Sequence, residues 1–199
     1  MIDTEIVNFK FLNCMNQILY MIITISGQAG SGKSTVAAAL AKKLGFRHYS
    51  IGDIRRKMAK ERGITLAELN KLGEKEMFTD KDVDGYQKGL GEKEDNFVID
   101  GRLSFHFIPH SVKVYLKADI NARVKRVFQD ERTEEHFHNT EDTKKALEER
   151  EKSDTKRYKK YYNLDCNDRK HYDLVIDSSE IPAENAVEKI LKFVKEKKG

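Results

Sequence analysis

Three groups of residues in this sequence have the type and spacing to do chemistry. The first is Gly27-Gln28-Ala29-Gly30-Ser31-Gly32-Lys33-Ser34-Thr35, which matches G-x-x-x-x-G-K-S/T in full and follows the apolar run Met21-Ile22-Ile23-Thr24-Ile25. Its glycines let the backbone curl around an anion with the N–H groups pointing inward. A helix starting just beyond aims its N-terminal dipole at the same anion. In that arrangement Lys33 reaches the β- and γ-phosphates and the Ser34 hydroxyl holds Mg²⁺. The string reads as a nucleoside triphosphate site.

The second group is a set of arginines that follow apolar runs, where an open α/β sheet binds its ligands. Arg55 and Arg56 come after the second run and Arg102 after the third, while Arg123 and Arg126 sit on the helix after the fourth. Arg150 and Arg157 lie seven apart on a long charged helix, which puts them and the intervening Asp154 on one face. Guanidinium forks suit phosphoryl transfer between two anions, because donor and acceptor repel and charge builds on the transferred group. Each arginine also has a structural reading, with Arg150 or Arg157 pairing with Asp154. The third group is Asp100 alone, closing the run Phe97-Val98-Ile99, where a carboxylate orients Mg²⁺ or its water. A turn or cap role is the alternative.

Apolar patterning predicts five strands, at 22–26, 46–50, 96–100, 112–116 and 174–177. Helices are expected over 36–44, 54–61, 65–76, 80–91, 119–129, 141–162 and 183–197. Thr65 with Glu68 has capping-box spacing, and Gly45 suits the end of the first helix. Strands alternating with helices imply an α/β P-loop NTPase fold with a central, mainly parallel five-stranded sheet. The expected organisation is one domain over 21–199, with inserts at about 54–91 and 129–140.

The chain has 199 residues, with 37 Lys and Arg against 33 Asp and Glu, and that balance shows no concentrated basic patch of the kind nucleic acid requires. No apolar run approaches a membrane span. Cys14 and Cys166 have no metal-ligand spacing and read as free thiols of a cytoplasmic protein. His136 and His138 alternate without further ligands and are not expected to hold zinc. Residues 1–20 lack a basic start and a small-residue cleavage site, so they are expected to be a dispensable extension or an upstream start rather than a secretory leader.

The P-loop, then Ser50-Ile51-Gly52-Asp53-Ile54-Arg55-Arg56, then Ile99-Asp100-Gly101-Arg102-Leu103, resemble the nucleoside monophosphate kinases in ordered combination. Within them the chain is most similar to the compact cytidylate kinases typical of archaea. Arg150-Glu151-Lys152-Ser153-Asp154, Arg157-Tyr158, Tyr161 and Tyr172-Asp173-Leu174-Val175-Ile176-Asp177-Ser178-Ser179 extend the likeness to the C-terminus. Gln28-Ala29 stands where that family often has Pro-Pro, and Asp100 and Asp177 replace a common Glu and Asn.

The resemblance implies ATP with Mg²⁺ as donor and CMP, with dCMP, as acceptor, in a monomer with no nucleic-acid or membrane partner. It implies that Gly27 to Thr35, Arg126 and Arg132 hold ATP, and that Ser34 and Asp100 hold the metal. Ser50, Gly52, Asp53, Arg56, Arg102, Arg150, Asp154 and Arg157 would take the acceptor, with Asp84 and Gln87 on the base side. Lys33, Arg102, Arg150 and Arg157 would serve catalysis, under a lid at 129–140. Phe105 or Phe107 has two readings, stacking on a pyrimidine or packing in the core. Other small-molecule kinases of this scaffold, for AMP, UMP, a shikimate-like alcohol or dephospho-coenzyme A, are the alternatives. A non-catalytic nucleotide-binding protein is a further one. The sequence lacks the guanine-reading N-K-x-D of a GTPase, its nearest string being Asn70-Lys71-Leu72-Gly73.

Overall fold

A computed structural model describes residues 20–130 and 137–198. Its centre is β1 (Ile22–Gly27), six residues buried throughout, the pattern of a strand covered on both faces. The other strands are β2 (Arg47–Ser50), β3 (Phe97–Asp100), β4 (Val112–Lys117) and β5 (Leu174–Asp177). Their order is β2-β3-β1-β4-β5, and every pairing is parallel rather than mainly so. The register sets Ile25 opposite Asp100 and Ser50 opposite Asp100, so the carboxyl ends of β1, β2 and β3 converge. The chain leaves β1 for β2 on one side and β3 for β4 on the other, making the β1/β3 edge the point where ligand crevices form.

The helices are α1 (Lys33–Leu44), α2 (Ile51–Glu61), α3 (Leu66–Lys75), α4 (Phe78–Lys93), α5 (Ser104–Phe107), α6 (Ile120–Phe128), α7 (Thr140–Tyr162) and α8 (Ala183–Lys198). Alternation along β1 divides the core. Ile23 and Ile25 pack with Val36 and Leu40 of α1 and Val187 and Ile190 of α8. Ile22 faces the opposite side, with Ile51, Val83, Leu90, Phe97 and Ile99. Among the described residues no helix is long and apolar enough to cross a membrane.

Local chemistry explains the element ends. Gly45 takes the left-handed conformation after α1 (φ 68°), and its N–H bonds back to the last turn. Thr65 and Glu68 form the expected capping box, with Glu68 accepting from the Thr65 N–H at 2.7 Å. The second helix begins earlier than its polar face suggests. Ser50 caps it by accepting from the Asp53 N–H at 3.4 Å, which places Gly52 and Asp53 inside the first turn. The one-turn α5 and a 3₁₀ turn at Arg169–His171 have no sequence signal strong enough to read. Residues 1–19 and 131–136 lie outside the described residues, and with them Cys14, Arg132 and His136.

Two glycines, one closing β1 and one in the loop after it, serve different ends. A Cβ on Gly27 (φ +144°) would lie 2.1 Å from the Leu116 carbonyl oxygen, so the loop leaves the sheet only because that atom is missing. Gly32 (φ +86°) would meet nothing within 4 Å. We expect Gly27→Ala to cost about 2–4 kcal/mol through strain and overpacking together. Gly32→Ala costs only the left-handed penalty of about 1–2 kcal/mol. Urea denaturation of the two variants checks this; equal losses would refute the assignment of close approach at Gly27.

Candidate active site

A cleft of about 1440 Å³ opens above the carboxyl ends of β1 and β3. Its floor is the loop into α1. Gly30 and Gly32 are both left-handed, and Lys33, Ser34 and Thr35 also line the cleft. Lys33 Nζ donates to the Gln28 carbonyl at 2.7 Å, so the ammonium crosses the loop it belongs to. Burial and the nearby Arg102 pull that ammonium down to about 7, against the opposing pull of the Asp100 carboxylate. Gly27, Gln28, Ser31 and Ser50 are not among the residues that face the cleft. They build its frame: Ser178 donates to the Ser31 carbonyl at 2.9 Å, and Ser50 Oγ is 3.3 Å from Asp100 Oδ2.

Asp100 is 2 % exposed, and its Oδ2 accepts from Ser34 Oγ at 2.8 Å. Its Oδ1 lies 2.7 Å from His48 Nε2. Two hard oxygens side by side, one fixed from behind by an imidazole, suit a small cation that keeps waters and takes its remaining ligands from phosphates. The donor set therefore fits Mg²⁺. His48 escaped the sequence reading. Its only signal is that it stands two residues before Ser50 on the same strand face.

The far end of the cleft carries the arginines. Arg102 is anchored by Nε to Asp154 Oδ2 at 2.9 Å, while its Nη2 is buried without a partner. Burial opposes the charge on Arg102, but the Asp154 carboxylate outweighs it and keeps the guanidinium firmly protonated. Burial likewise lowers Arg150, whose Nε has no partner. Arg56 pairs with the exposed Asp53 on its own helix and borders the cleft. Arg157 differs from these three. It is 1 % exposed, and its two terminal nitrogens are taken by Asp80 and Asp154. The structural alternative of pairing with Asp154 holds for Arg157 and not for Arg150, which makes no direct contact with that carboxylate; Arg102 takes its other oxygen.

Arg126 borders the other end. Its Nη2 donates to the Ser178 and Ser179 carbonyls and its Nη1 is buried without a partner. Arg123 does not face the cleft: its Nη1 donates to Glu151 and, at 3.4 Å, to the Ala29 carbonyl, fastening α6 and α7 to the loop. Asp84 and Gln87 line the wall formed by α4. Asp84 accepts from the Tyr162 hydroxyl, and Gln87 Oε1 accepts from Ser104 Oγ at 2.7 Å. Phe105 and Phe107 belong to the core: both are buried in a cluster with Leu103, Tyr158 and Cys166. Phe105 stacks on His171 at 5.3 Å between ring centroids. Gln129, Asp130 and Phe137 reach the cleft rim on either side of the undescribed 131–136.

This fold and cleft define a P-loop kinase architecture. Shikimate kinase from Acinetobacter baumannii, solved in complex with shikimate, superposes with a TM-score of 0.61 at 16 % identity, covering 92 % of this chain and 98 % of that one. An uncharacterised protein from Eubacterium ventriosum gives 0.64 at 20 % identity, over 87 % and 98 %. At such identities the likeness concerns the fold alone. Sequence goes further: the family model for the cytidylate kinase-like family matches residues 22–180, and the chain belongs to that family. The cytidylate kinase of Natronomonas pharaonis is 42 % identical over 164 residues, 81 % of this chain and 82 % of its own length. That of Methanocella arvoryzae is 40 % identical over 181 residues, 89 % and 99 % respectively.

Burial pushes the Asp84 carboxyl up to about 6, against the lowering effect of the Tyr162 hydroxyl. An unfolded aspartate titrates near ~4, so the folded chain holds this proton more tightly. Asp84 therefore adds stability below about pH 4 and loses that contribution as pH rises through about 6. Between about pH 5 and about pH 8 the wild-type Tm should fall further than that of Asp84→Asn. Parallel Tm curves in a calorimetric series would show that Asp84 titrates normally.

Proposed function

We propose that this protein transfers the γ-phosphoryl group of ATP to CMP, and to dCMP, giving ADP and the nucleoside diphosphate. One observation carries the reading. A single cleft holds the phosphate loop with Lys33 at one end and, at the other, guanidiniums with unpartnered nitrogens on Arg102 and Arg150. Membership of the cytidylate kinase-like family and relatives named cytidylate kinase support CMP as the acceptor.

In this reading Ala29, Gly30 and Gly32 to Thr35 bind the ATP phosphates through backbone N–H groups, with Gly27, Gln28 and Ser31 framing the loop, and Arg126 borders the donor nucleotide. Ser34 and Asp100 would hold Mg²⁺, which would supply neutralisation of the phosphate charge. Lys33 moves from the Gln28 carbonyl to the transferring phosphoryl group. Arg102, Arg150 and Arg56 take the CMP phosphate and keep its oxygen aimed at the γ-phosphorus. The attacking phosphate is already an anion, so no side chain is needed as a strong base. Asp84 and Gln87 stand where the pyrimidine edge would lie. Helices α2 to α4 act as the acceptor-binding insert, while part of the lid expected at 129–140, residues 131–136, lies outside the described residues. In this reading the protein acts as a monomer in the cytoplasm on free nucleotides.

The test is ADP release from Mg-ATP with CMP, dCMP, UMP, AMP and shikimate as acceptors. CMP and dCMP should exceed the others in kcat/KM; turnover led by shikimate or AMP would refute the assignment. Lys33→Ala and Arg102→Ala should each lower kcat/KM about 100-fold or more with the fold retained, since Lys33 meets the transferred group and Arg102 the attacking phosphate. A near-normal rate in either folded variant removes that residue from the mechanism.

A further inference from the structure

The Asp100 carboxylate is held at both oxygens by groups from two other elements. Its Oδ2 accepts from Ser34 Oγ, at the start of α1, at 2.8 Å and from Ser50 Oγ, at the end of β2, at 3.3 Å. Its Oδ1 meets His48 Nε2, also on β2, at 2.7 Å. The parallel register sets His48 opposite Val98 and Ser50 opposite Asp100. Strand alternation then puts His48 and Ser50 on the face that Asp100 also uses, with the imidazole behind the carboxylate. Ser34 and Asp100 line the cleft, and His48 is not among the lining residues. Any effect of His48 on a ligand in the cleft therefore runs through Asp100.

The edge strand β2 stays in the sheet without this bond. Its ladder to β3 runs from Arg47 to Ser50. Its opposite face is fastened separately to the end of α4 and to β3. There the Tyr49 hydroxyl donates to Glu94 Oε2 at 2.8 Å, and Arg47 pairs with the same oxygen at 3.1 Å. The Tyr49 ring meets Phe97 edge-on, with 5.4 Å between centroids. What the imidazole adds is direction. A carboxylate can turn about its last side-chain bond, and both serine hydroxyls engage the same oxygen. Fixing Oδ1 stops that turn and keeps Oδ2 beside Ser34 Oγ. A carboxylate that holds a cation is ionised and only accepts, which assigns the proton in this bond to His48 Nε2.

We propose that His48 is a positioning residue for the cation site: donating from Nε2 to Asp100 Oδ1, it holds Oδ2 beside Ser34 and touches neither cation nor nucleotide. This role rests on the reading of Ser34 and Asp100 as the residues that take Mg²⁺. It gives an edge-strand residue with no motif of its own control over how tightly the metal–nucleotide complex is held.

Calorimetric titration with β,γ-methylene ATP, run once in Mg²⁺ and once in EDTA, separates the cation's contribution from the nucleotide's without turnover. The wild type should bind the analogue at least ~10-fold tighter in Mg²⁺, and His48→Leu should lose most of that gain, the size of effect common for partners of a metal ligand. Affinity in EDTA should stay within about 2-fold, because the distant phosphate loop is untouched. His48→Gln, whose amide nitrogen can stand where Nε2 does, should restore most of the gain. In an Asp100→Asn background, His48→Leu should add almost nothing. Should His48→Leu fail to fold, a long-range ¹⁵N–¹H spectrum of the free wild-type protein, with the signal assigned by its loss in His48→Gln, still decides: His48 should carry a proton on Nε2. A proton on Nδ1 alone would overturn the proposal. So would an unchanged Mg²⁺ gain in His48→Leu, an equal loss in EDTA, a His48→Gln no better than His48→Leu, or a full further loss in the Asp100→Asn background. A wild type that binds the analogue equally in Mg²⁺ and EDTA removes the cation site and the proposal with it. If CMP is no acceptor while the Mg²⁺ gain still depends on His48, the positioning stands and the acceptor assignment falls.

Discussion

Two phosphate-bearing molecules repel each other, and the repulsion grows steeply once water is removed from between them. A protein that joins them must hold compensating positive charge in place beforehand, and burial penalises that charge until the anions arrive. Both halves of this conflict are visible in the cleft. Lys33 is pulled to about 7 chiefly by burial, with Arg102 adding to the effect. Arg102 is kept protonated by Asp154. The loop after β1 avoids the conflict in another way. Its backbone N–H groups are fixed dipoles that never ionise, so they bind anions with no charge left uncompensated in the free protein.

The sheet turns this electrostatic requirement into geometry. Parallel pairing brings the carboxyl ends of β1, β2 and β3 level, so the phosphate loop, Ser50 and Asp100 arrive at one edge without any being near another in sequence. Ser34 and Asp100 meet at 2.8 Å across 66 positions of chain. On the opposite wall α7 carries Asp154 and Arg157 into the interior, where α4 supplies Asp80. The fold therefore sets the phosphate loop against a wall built from three helices of one segment and a fourth from much later in the chain.

Legibility followed the range of the interactions. All five strands, the capping box at Thr65 and the left-handed Gly45 were readable because each depends on residues within a few positions of one another. The phosphate loop was readable for the same reason. Helix α7 shows the opposite case. Its composition marks it as a solvated, highly charged helix, yet Asp154, Arg157 and Tyr158 are among its buried residues. Hydrophobic periodicity cannot find a buried face made of ions, because the compensating charge of Asp80 lies 77 residues away. His48 was missed on similar grounds, since its value comes from reaching Asp100 across 52 residues. Phe105 and Phe107 had two readings until the cluster with Tyr158 and Cys166 placed them in the core.

By itself the sequence determined the class of fold, the donor loop and the family, because strand periodicity, glycine conformation and the G-x-x-x-x-G-K-S/T spacing are local physics written in consecutive residues. Only the tertiary structure decided what each arginine is for. A guanidinium looks the same in every sequence, and whether it meets a ligand or a carboxylate depends on which groups the folded chain brings within about 3 Å of it. Arg102 keeps a terminal nitrogen without a partner while both terminal nitrogens of Arg157 are taken by carboxylates, and that difference arises from contacts between distant segments.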